Sequence, residues 1–470
     1  MRAAIKQMRK EIIMTNDIAA RVQACRDFFD TNATKPYAFR IAQLQKLKTA
    51  LKENQQKLLN ALYSDLHKTE MEGYFSELGI VYEELNFIMK HLKKWMKPKK
   101  VKTPIAQFPA KSSILYEPFG TVLIMSPWNY PINLTLAPLV GAIAAGNCSV
   151  VKPSNQTPAT AAALKKLLSE NFPEEYISVV EGGRKENTEL LTQRFDYIFF
   201  TGGIQVGKTV MEAAAKHLTP ITLELGGKSP CIVEKSANIK IAARRILFGK
   251  SLNAGQTCVA PDYLLIDESI KEAFIAEAKN VFKEFFPTET YLQMQLPRIV
   301  NDKHFERLSN LLHDGTLVVG GSTEANSRFI EPTIIENIDF DSPIMQEEIF
   351  GPILPVITYK DLNAAISQIK KRDKPLALYL FTEDKSIEKK ILTELSFGGG
   401  CVNDTIVHLA TNYLPFGGVG YSGMGKYHGE ESFKIFSNAK SILKKSTLFD
   451  LKLRYHPYSE SKYNTIKKFM

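Results

Sequence analysis

The sequence predicts an α/β protein with two doubly wound units, each a mostly parallel sheet covered by helices. Three observations predict it. A chain of 470 residues is too long for one ordinary hydrophobic core. From Val122 to Leu225, short apolar runs alternate with helical stretches. After Glu224 a second series of the same kind begins. Such alternation marks parallel strands joined by crossover helices.

The elements follow in chain order. Residues 1–15 are basic at their start and read as an N-terminal extension, with Met14 as an alternative start. Over 41–66, leucines recur at helical spacing: Leu44, Leu47, Leu51, Leu58 and Leu62. Phe75, Leu78, Tyr82, Leu85, Met89 and Leu92 repeat the pattern, so both stretches read as amphipathic helices. Strands of the first unit are expected at 122–125, 149–152, 177–180, 197–200 and 221–225, with helices at 132–145, 158–170, 187–192 and 205–216. The second unit has expected strands at 231–234, 263–267, 317–320 and 376–381. Its helices are expected at 239–251, 269–285, 362–371 and 387–395. Sheets of this type bind ligands beyond the C-terminal ends of their strands. Glu224 stands near the junction of the units and Cys258 early in the second, so a cleft between them is the expected site.

Composition excludes several classes. The formal charge is +10, but the lysines are spread over many helix faces, which argues against nucleic acid as partner. The five cysteines are scattered without a Cys-x-x-Cys pair, as in a reducing compartment, and argue against a disulfide framework or zinc site. The eight histidines form no cluster, so no metal is expected. The basic start lacks the apolar core of a secretory signal. The longest apolar stretch, 134–145, contains Pro138 and is too short to span a bilayer. No membrane anchor is expected, and a cytoplasmic location is the default reading.

One cysteine stands apart. Cys258 lies in Gly255-Gln256-Thr257-Cys258-Val259-Ala260-Pro261, a polar turn that can present a thiol to a substrate. A lone cysteine is more often a buried small hydrophobe, so the surroundings decide. Leu223-Glu224-Leu225-Gly226-Gly227-Lys228 places a carboxylate at the end of an apolar run. Pro127-Trp128-Asn129-Tyr130 follows the apolar run at 122–125. Gln346-Glu347-Glu348-Ile349-Phe350-Gly351-Pro352 and Phe416-Gly417-Gly418-Val419-Gly420-Tyr421-Ser422-Gly423 lie downstream. With these motifs in this order, the chain resembles the aldehyde dehydrogenase superfamily over about Asn16 to Pro457. The nearest subgroup is class 3, the fatty and aromatic aldehyde dehydrogenases.

The resemblance implies a Rossmann-like NAD(P)-binding domain over 16–98 and 117–223, and a catalytic domain over 224–406. It also implies a small β element, 99–116 with 431–458, that pairs subunits into a homodimer. It implies oxidation of a hydrophobic aldehyde, aliphatic or aromatic, to its carboxylic acid. In that chemistry Cys258 attacks the carbonyl, and the Asn129 amide with the Cys258 N–H holds the oxyanion. Glu224 then activates the water that cleaves the thioester. The leucines beside Glu224 are suited to raise its pKa by desolvation. Glu224 favours release of free acid over transfer to coenzyme A.

NAD or NADP is the implied cofactor. Lys152 and Asn155 are implied at the adenosine ribose, Trp128, Glu348 and Phe350 near the nicotinamide end, and Gly202, Gly203 and Gly207 at the pyrophosphate. Relatives usually carry Glu where Asn155 stands, so loss of that charge favours tolerance of NADP. Many relatives carry Ser where Gly203 stands. Tyr130, Thr257, Ile406 and His408 are the implied substrate-tunnel residues.

Two other readings stand beside this one. Gly202-Gly203-Ile204-Gln205-Val206-Gly207-Lys208-Thr209 satisfies the letters of a P-loop, with Lys208 as its phosphate lysine. The rival is then a nucleotide hydrolase, although no strand ends in a convincing magnesium-binding Asp. The other is a non-catalytic member of the family. Cys25, Cys148 and Cys231 sit among apolar residues and read as core, and Cys401 as a loop-packing residue.

Overall fold

The computed structural model describes residues 17–468. The expected N-terminal extension, 1–15, lies outside the described residues. The leucine-rich stretch forms two helices, Tyr37–Glu53 and Gln55–Leu66, rather than one. The chain breaks at Asn54, whose φ of -110° leaves the helical region. Leu44, Leu47, Leu51, Leu58 and Leu62 all face the core, as the spacing predicts.

The first sheet has six strands, in the order Gly423–Met424, Ile221–Glu224, Tyr197–Thr201, Thr121–Met125, Cys148–Lys152 and Ile177–Val179. All pairs but the edge strand Gly423–Met424 are parallel. The expected strands fall within one or two residues of these. Such strands are covered on both faces, so they read as continuous apolar runs. The helix Asn133–Ala145 is buried on every side and keeps Pro138 in its interior.

The second sheet has seven strands. Pro230–Val233 and Tyr263–Asp267 lie at its centre, flanked by Ile353–Tyr359 on one side and Ala377–Phe381 on the other. Thr333–Glu336 and Thr316–Val319 extend one side, and Gly399–Val402 the other. The sequence reading misses three of these. Ile353–Tyr359 carries Pro355, which demotes a strand reading. Gly399–Val402 begins with two glycines, and Thr333–Glu336 is only four residues long. The helices Glu289–Gln295 and Asp302–Leu311 are missed as well.

A separate three-stranded antiparallel sheet joins Lys99–Val101, Ala110–Pro118 and Ser437–Lys445. Residues just before the last strand form the helix Glu430–Ile435, packed against Asn133–Ala145.

Candidate active site

In the first sheet, strand order reverses at Thr121–Met125: the next strands in sequence lie to one side, and Tyr197–Thr201 to the other. The C-terminal ends at such a switch point flank a crevice. The loop after Thr121–Met125 carries Trp128, Asn129 and Tyr130, while Tyr197–Thr201 leads into Gly202 and Gly203. The neighbouring strand ends on Glu224, paired with Thr201 on one side and Gly423 on the other.

Glu224 is buried, and neither carboxyl oxygen has a hydrogen-bond partner. Desolvation pushes its pKa well above the ordinary value, while Lys426 pulls the other way. Gly417 packs against it, so a Cβ there would sit 3.0 Å from Glu224 Oε1. Cys258 is half-buried, whereas Cys25, Cys148 and Cys231 are fully buried. Burial pushes the Cys258 thiol up, and the carboxyls of Glu348 and Glu224 push it further. The backbone N–H groups of Cys258 and Val259 act in the opposite sense. The thiol therefore lies within electrostatic reach of both carboxyls.

The turn before the nucleophile is unusual. Asn253, Ala254 and Gly255 have φ of +52°, +51° and +68°. At Gly255 a Cβ would collide with the carbonyl oxygen of Gly351, so only glycine fits. The Asn129 side-chain amide donates to the Gln256 carbonyl at 3.0 Å. Tyr130 and Thr257 share a hydroxyl–hydroxyl hydrogen bond of 2.6 Å. Asn129, Tyr130 and Thr257 are thus brought beside Cys258.

On the other side of the crevice, the Glu348 carboxyl presses on Gly226 so closely that a Cβ there has no room. Burial raises the Glu348 pKa to about 8, Asp262 adds to this, and Lys228 and Lys250 oppose it. Phe350, at φ +52°, meets the Trp128 ring edge-on with centroids 5.3 Å apart. Lys152 is buried, donates to its neighbour Pro153 at 2.8 Å, and is lowered to about 8 by burial. Asn155 is exposed and reaches toward Gly183. The sequence reading misses Glu186: its carboxylate accepts from the Gly183 N–H at 2.7 Å and acts electrostatically on Lys152.

Gly203 opens the helix Ile204–Ala215 with nothing within 4 Å of where its Cβ would stand. At Gly207 a Cβ would press on Leu225 at 2.7 Å, so this glycine lets the helix approach its strand. The helix begins two residues after the strand, which corrects the P-loop reading. A P-loop wraps phosphate with loop backbone, but here the residues between Gly203 and Gly207 are already helical. Lys208 is exposed and lies 5.0 Å over the Tyr421 ring.

Ile406 is buried with φ +63°, and His408 follows on a short 3-10 turn. Burial lowers the His408 pKa to about 4, and its Nδ1 lies 3.6 Å from the Cys401 sulfur. The fold therefore gathers Asn129, Tyr130, Glu224, Thr257 and Cys258 into one region. Lys152, Asn155 and the Gly202–Gly203 turn lie at or just beyond the C-terminal ends of interior strands of the first sheet. Among the described residues, no group of three or more His, Cys, Asp or Glu side chains could hold a metal ion.

A model of the aldehyde dehydrogenase family matches residues 8–442. The chain belongs to this family. It is 49% identical to 4,4'-diaponeurosporen-aldehyde dehydrogenase of Staphylococcus aureus (strain NCTC 8325 / PS 47), over 97% of this chain and 99% of that one. Aldehyde dehydrogenase family 3 member B1 of Mus musculus is 47% identical, over 93% and 94% of the two chains. The dimeric NADP-preferring aldehyde dehydrogenase of Canis lupus familiaris is 45% identical, over 94% and 98%. Among solved structures, the substrate-bound state of Staphylococcus aureus AldH superimposes with a TM-score of 0.95 at 48% identity, covering 97% of this chain and 100% of the other. Betaine aldehyde dehydrogenase from Staphylococcus aureus in complex with NAD+ gives a TM-score of 0.82 at 27% identity, over 93% and 88%. This aldehyde dehydrogenase is class 3-like, and its relatives include one named NADP-preferring and one solved with NAD+. The nucleotide-hydrolase reading is not favoured. Among the described residues, no helix of the dehydrogenase is long and apolar enough to cross a membrane.

Proposed function

We propose that this dehydrogenase oxidises a hydrophobic aldehyde, medium- or long-chain aliphatic or aromatic, to the free carboxylic acid, with Cys258 as nucleophile and Glu224 as general base. The observation that carries the reading is Glu224 itself. A buried carboxyl with both oxygens unpartnered is costly to maintain. A raised pKa suits a group that must take a proton near neutral pH.

Cys258 Sγ bonds to the carbonyl carbon as its proton passes to a nearby base. The oxyanion accepts from the Asn129 amide and the Cys258 N–H; removing one such donor typically costs on the order of a hundredfold or more in rate. As the oxyanion collapses, the former aldehyde hydrogen departs as hydride, for which a bound oxidised nicotinamide would be the acceptor, and the acyl group is left on Cys258 as a thioester. Glu224 draws a proton from water, the water oxygen bonds to the acyl carbon, and the sulfur leaves. Trp128, Tyr130, Thr257, Ile406 and His408 give the substrate side its aromatic and apolar character.

The residues present fit a nicotinamide dinucleotide. Gly203 leaves open space at the start of the helix Ile204–Ala215, where phosphate is favoured. Lys152 has donors beyond the one it gives Pro153. Lys152 and Asn155 would hold the adenosine ribose, Gly202, Gly203 and Gly207 would border the pyrophosphate, and Trp128, Glu348 and Phe350 would hold the nicotinamide end. When bound, the cofactor supplies the hydride acceptor. The neutral Asn155 supports use of NADP as well as NAD.

The domain assignment is cofactor binding by 16–98 and 117–223, catalysis by 224–406, and subunit pairing by 99–116 with 431–458. A homodimer completes the reading, with a cytoplasmic location that the five unbridged cysteines support. The test follows the ultraviolet absorbance of reduced nicotinamide with NAD or NADP and hexanal, a long-chain aldehyde or benzaldehyde. Signal from wild type but none from Cys258→Ala is the expected result. Equal rates from the two proteins would remove Cys258 from the mechanism.

A further inference from the structure

A fully buried ion pair lies against the segment 129–133, with Lys68 in the short connection after the helix Gln55–Leu66 and Glu77 in the helical turn Tyr74–Leu78. Lys68 Nζ donates to Glu77 Oε1 at 2.7 Å, and both side chains are completely inaccessible to solvent. Lys68 donates also to the Asn129 carbonyl at 3.2 Å and lies 4.3 Å over the Tyr130 ring. Glu77 Oε2 accepts from the N–H groups of Ile132 and Asn133, at 2.8 and 3.1 Å, at the start of the helix that follows. The pair therefore grips the segment 129–133 at its backbone.

A second tie comes from the nucleophile side. Asn253 Nδ2 donates to the Asn129 carbonyl at 2.8 Å and to the Gln256 carbonyl at 3.0 Å. Its own N–H donates to Glu72 Oε1 at 2.8 Å. The Gln256 carbonyl also accepts from the Asn129 side chain. Asn129 and Gln256 are thus clamped to each other, with one N–H of the Asn129 amide spent on the clamp. The amide carries a second N–H, the one the proposed function gives to the substrate oxygen. Holding the first fixes the direction of the second. The left-handed turn at 253–255 is held by the same bonds.

We propose that Lys68, Glu77 and Asn253 are positioning residues that aim the Asn129 amide at the reacting oxygen and so set kcat. All three are fully buried and act through Asn129. The proposal rests on Asn129 being the oxyanion donor. Misplacing a catalytic group by about 1 Å costs on the order of a hundredfold in rate.

The experiment is a mutant cycle on the full chain with saturating aldehyde and cofactor. Asn253→Gly removes the bridging amide while keeping a residue that accepts positive φ. Lys68→Met combined with Glu77→Gln removes the ion pair but leaves an acceptor for the N–H groups of Ile132 and Asn133. Each is expected to lower kcat by about tenfold to a hundredfold. In an Asn129→Ala background the same changes are expected to lower kcat by less than about twofold, because residues acting as one unit are not additive. Alkylation of Cys258 by iodoacetamide forms no oxyanion, so its rate is expected to stay near that of wild type. A kcat near wild type in folded Asn253→Gly, an equal loss with and without Asn129, or a parallel loss of alkylation each overturns the proposal. If Asn129→Ala alone leaves kcat unchanged, the oxyanion assignment fails first.

Discussion

At the scale of single residues, the candidate site is defined by what burial does to charge. Glu224 has a pKa raised well above 4.5 by desolvation, so the folded protein holds its proton more tightly than the unfolded chain does. Stability is therefore lost as pH rises from the ordinary carboxylate range towards the folded pKa. Glu224→Gln cannot ionise and escapes that loss. Its melting temperature is expected to exceed that of wild type at about pH 8, with the advantage shrinking towards about pH 5. Calorimetry at the two pH values checks this, and a constant difference would argue against the raised pKa. The same substitution is expected to lower the rate of acid release by roughly a hundredfold to ten-thousandfold. Asn155 offers a separate test. A glutamate there would face a 2′-phosphate with a second carboxylate beside Glu186. Asn155→Glu is expected to lower kcat/KM with NADP at least about tenfold while sparing NAD, the cost of a like charge in reach being a few kcal/mol. Initial rates with the two cofactors decide it. Cys258, Glu224, Asn129 and Glu348 were legible because each stands in a distinctive short motif. Lys68 and Glu77 are not, because an ion pair with no solvent access looks in sequence like two surface charges, and Asn253 is not, because its backbone N–H and side-chain amide act through contacts with Glu72 and Asn129 far away in sequence.

At the scale of elements, two turns border the candidate site and both can be probed. The turn 253–255 holds three consecutive residues at positive φ. Gly255→Ala must accept both a left-handed backbone and a collision with the Gly351 carbonyl oxygen. The two effects together should cost roughly 2–5 kcal/mol. Denaturant unfolding measures it, and a loss below about 1 kcal/mol would mean the turn relaxes freely. Gly203 is the opposite case. Its φ of -72° and ψ of 150° suit any residue, no side chain caps the helix Ile204–Ala215, and a Cβ has open space. Gly203→Ser should therefore stabilise by a few tenths of a kcal/mol. The strands of the first unit were readable within one or two residues because burial on both faces leaves apolar runs between polar turns. The second unit was read less completely. Pro355 interrupts the apolar pattern of Ile353–Tyr359, and Gly399-Gly400 hides Gly399–Val402. Ile353–Tyr359 is held by Tyr263–Asp267, brought in from far along the chain, and Gly399–Val402 by Ala377–Phe381, pairings that local pattern does not carry.

At the scale of the whole molecule, the three-stranded sheet poses a problem that one chain does not solve. Ser437–Lys445 is nine residues long, and among the described residues it pairs with Ala110–Pro118 alone. Its other edge offers a row of backbone donors and acceptors. A long free edge of this kind is a template for pairing with another chain. The surrounding surface is apolar as well: Ile442 and Leu443 are 39% and 48% exposed, and Ile105 and Phe108 are 72% and 58% exposed. Exposed apolar residues grouped on one element mark an interaction surface. Lys440, Lys444 and Lys445 are spaced along the same strand. Like charges there disfavour unspecific stacking, so pairing must come with a partner surface that accepts them. In the homodimer proposed above, a second copy of this chain is the partner for this edge. Replacing Ile442 and Leu443 together by glutamate is expected to convert the dimer to monomer, read as a halved mass in analytical ultracentrifugation. The residues lie on a sheet separate from those that carry Cys258 and Glu224, so the monomer should still form thioester from aldehyde. A wild type that sediments as a monomer, or a variant that stays dimeric, would exclude this edge as the interface.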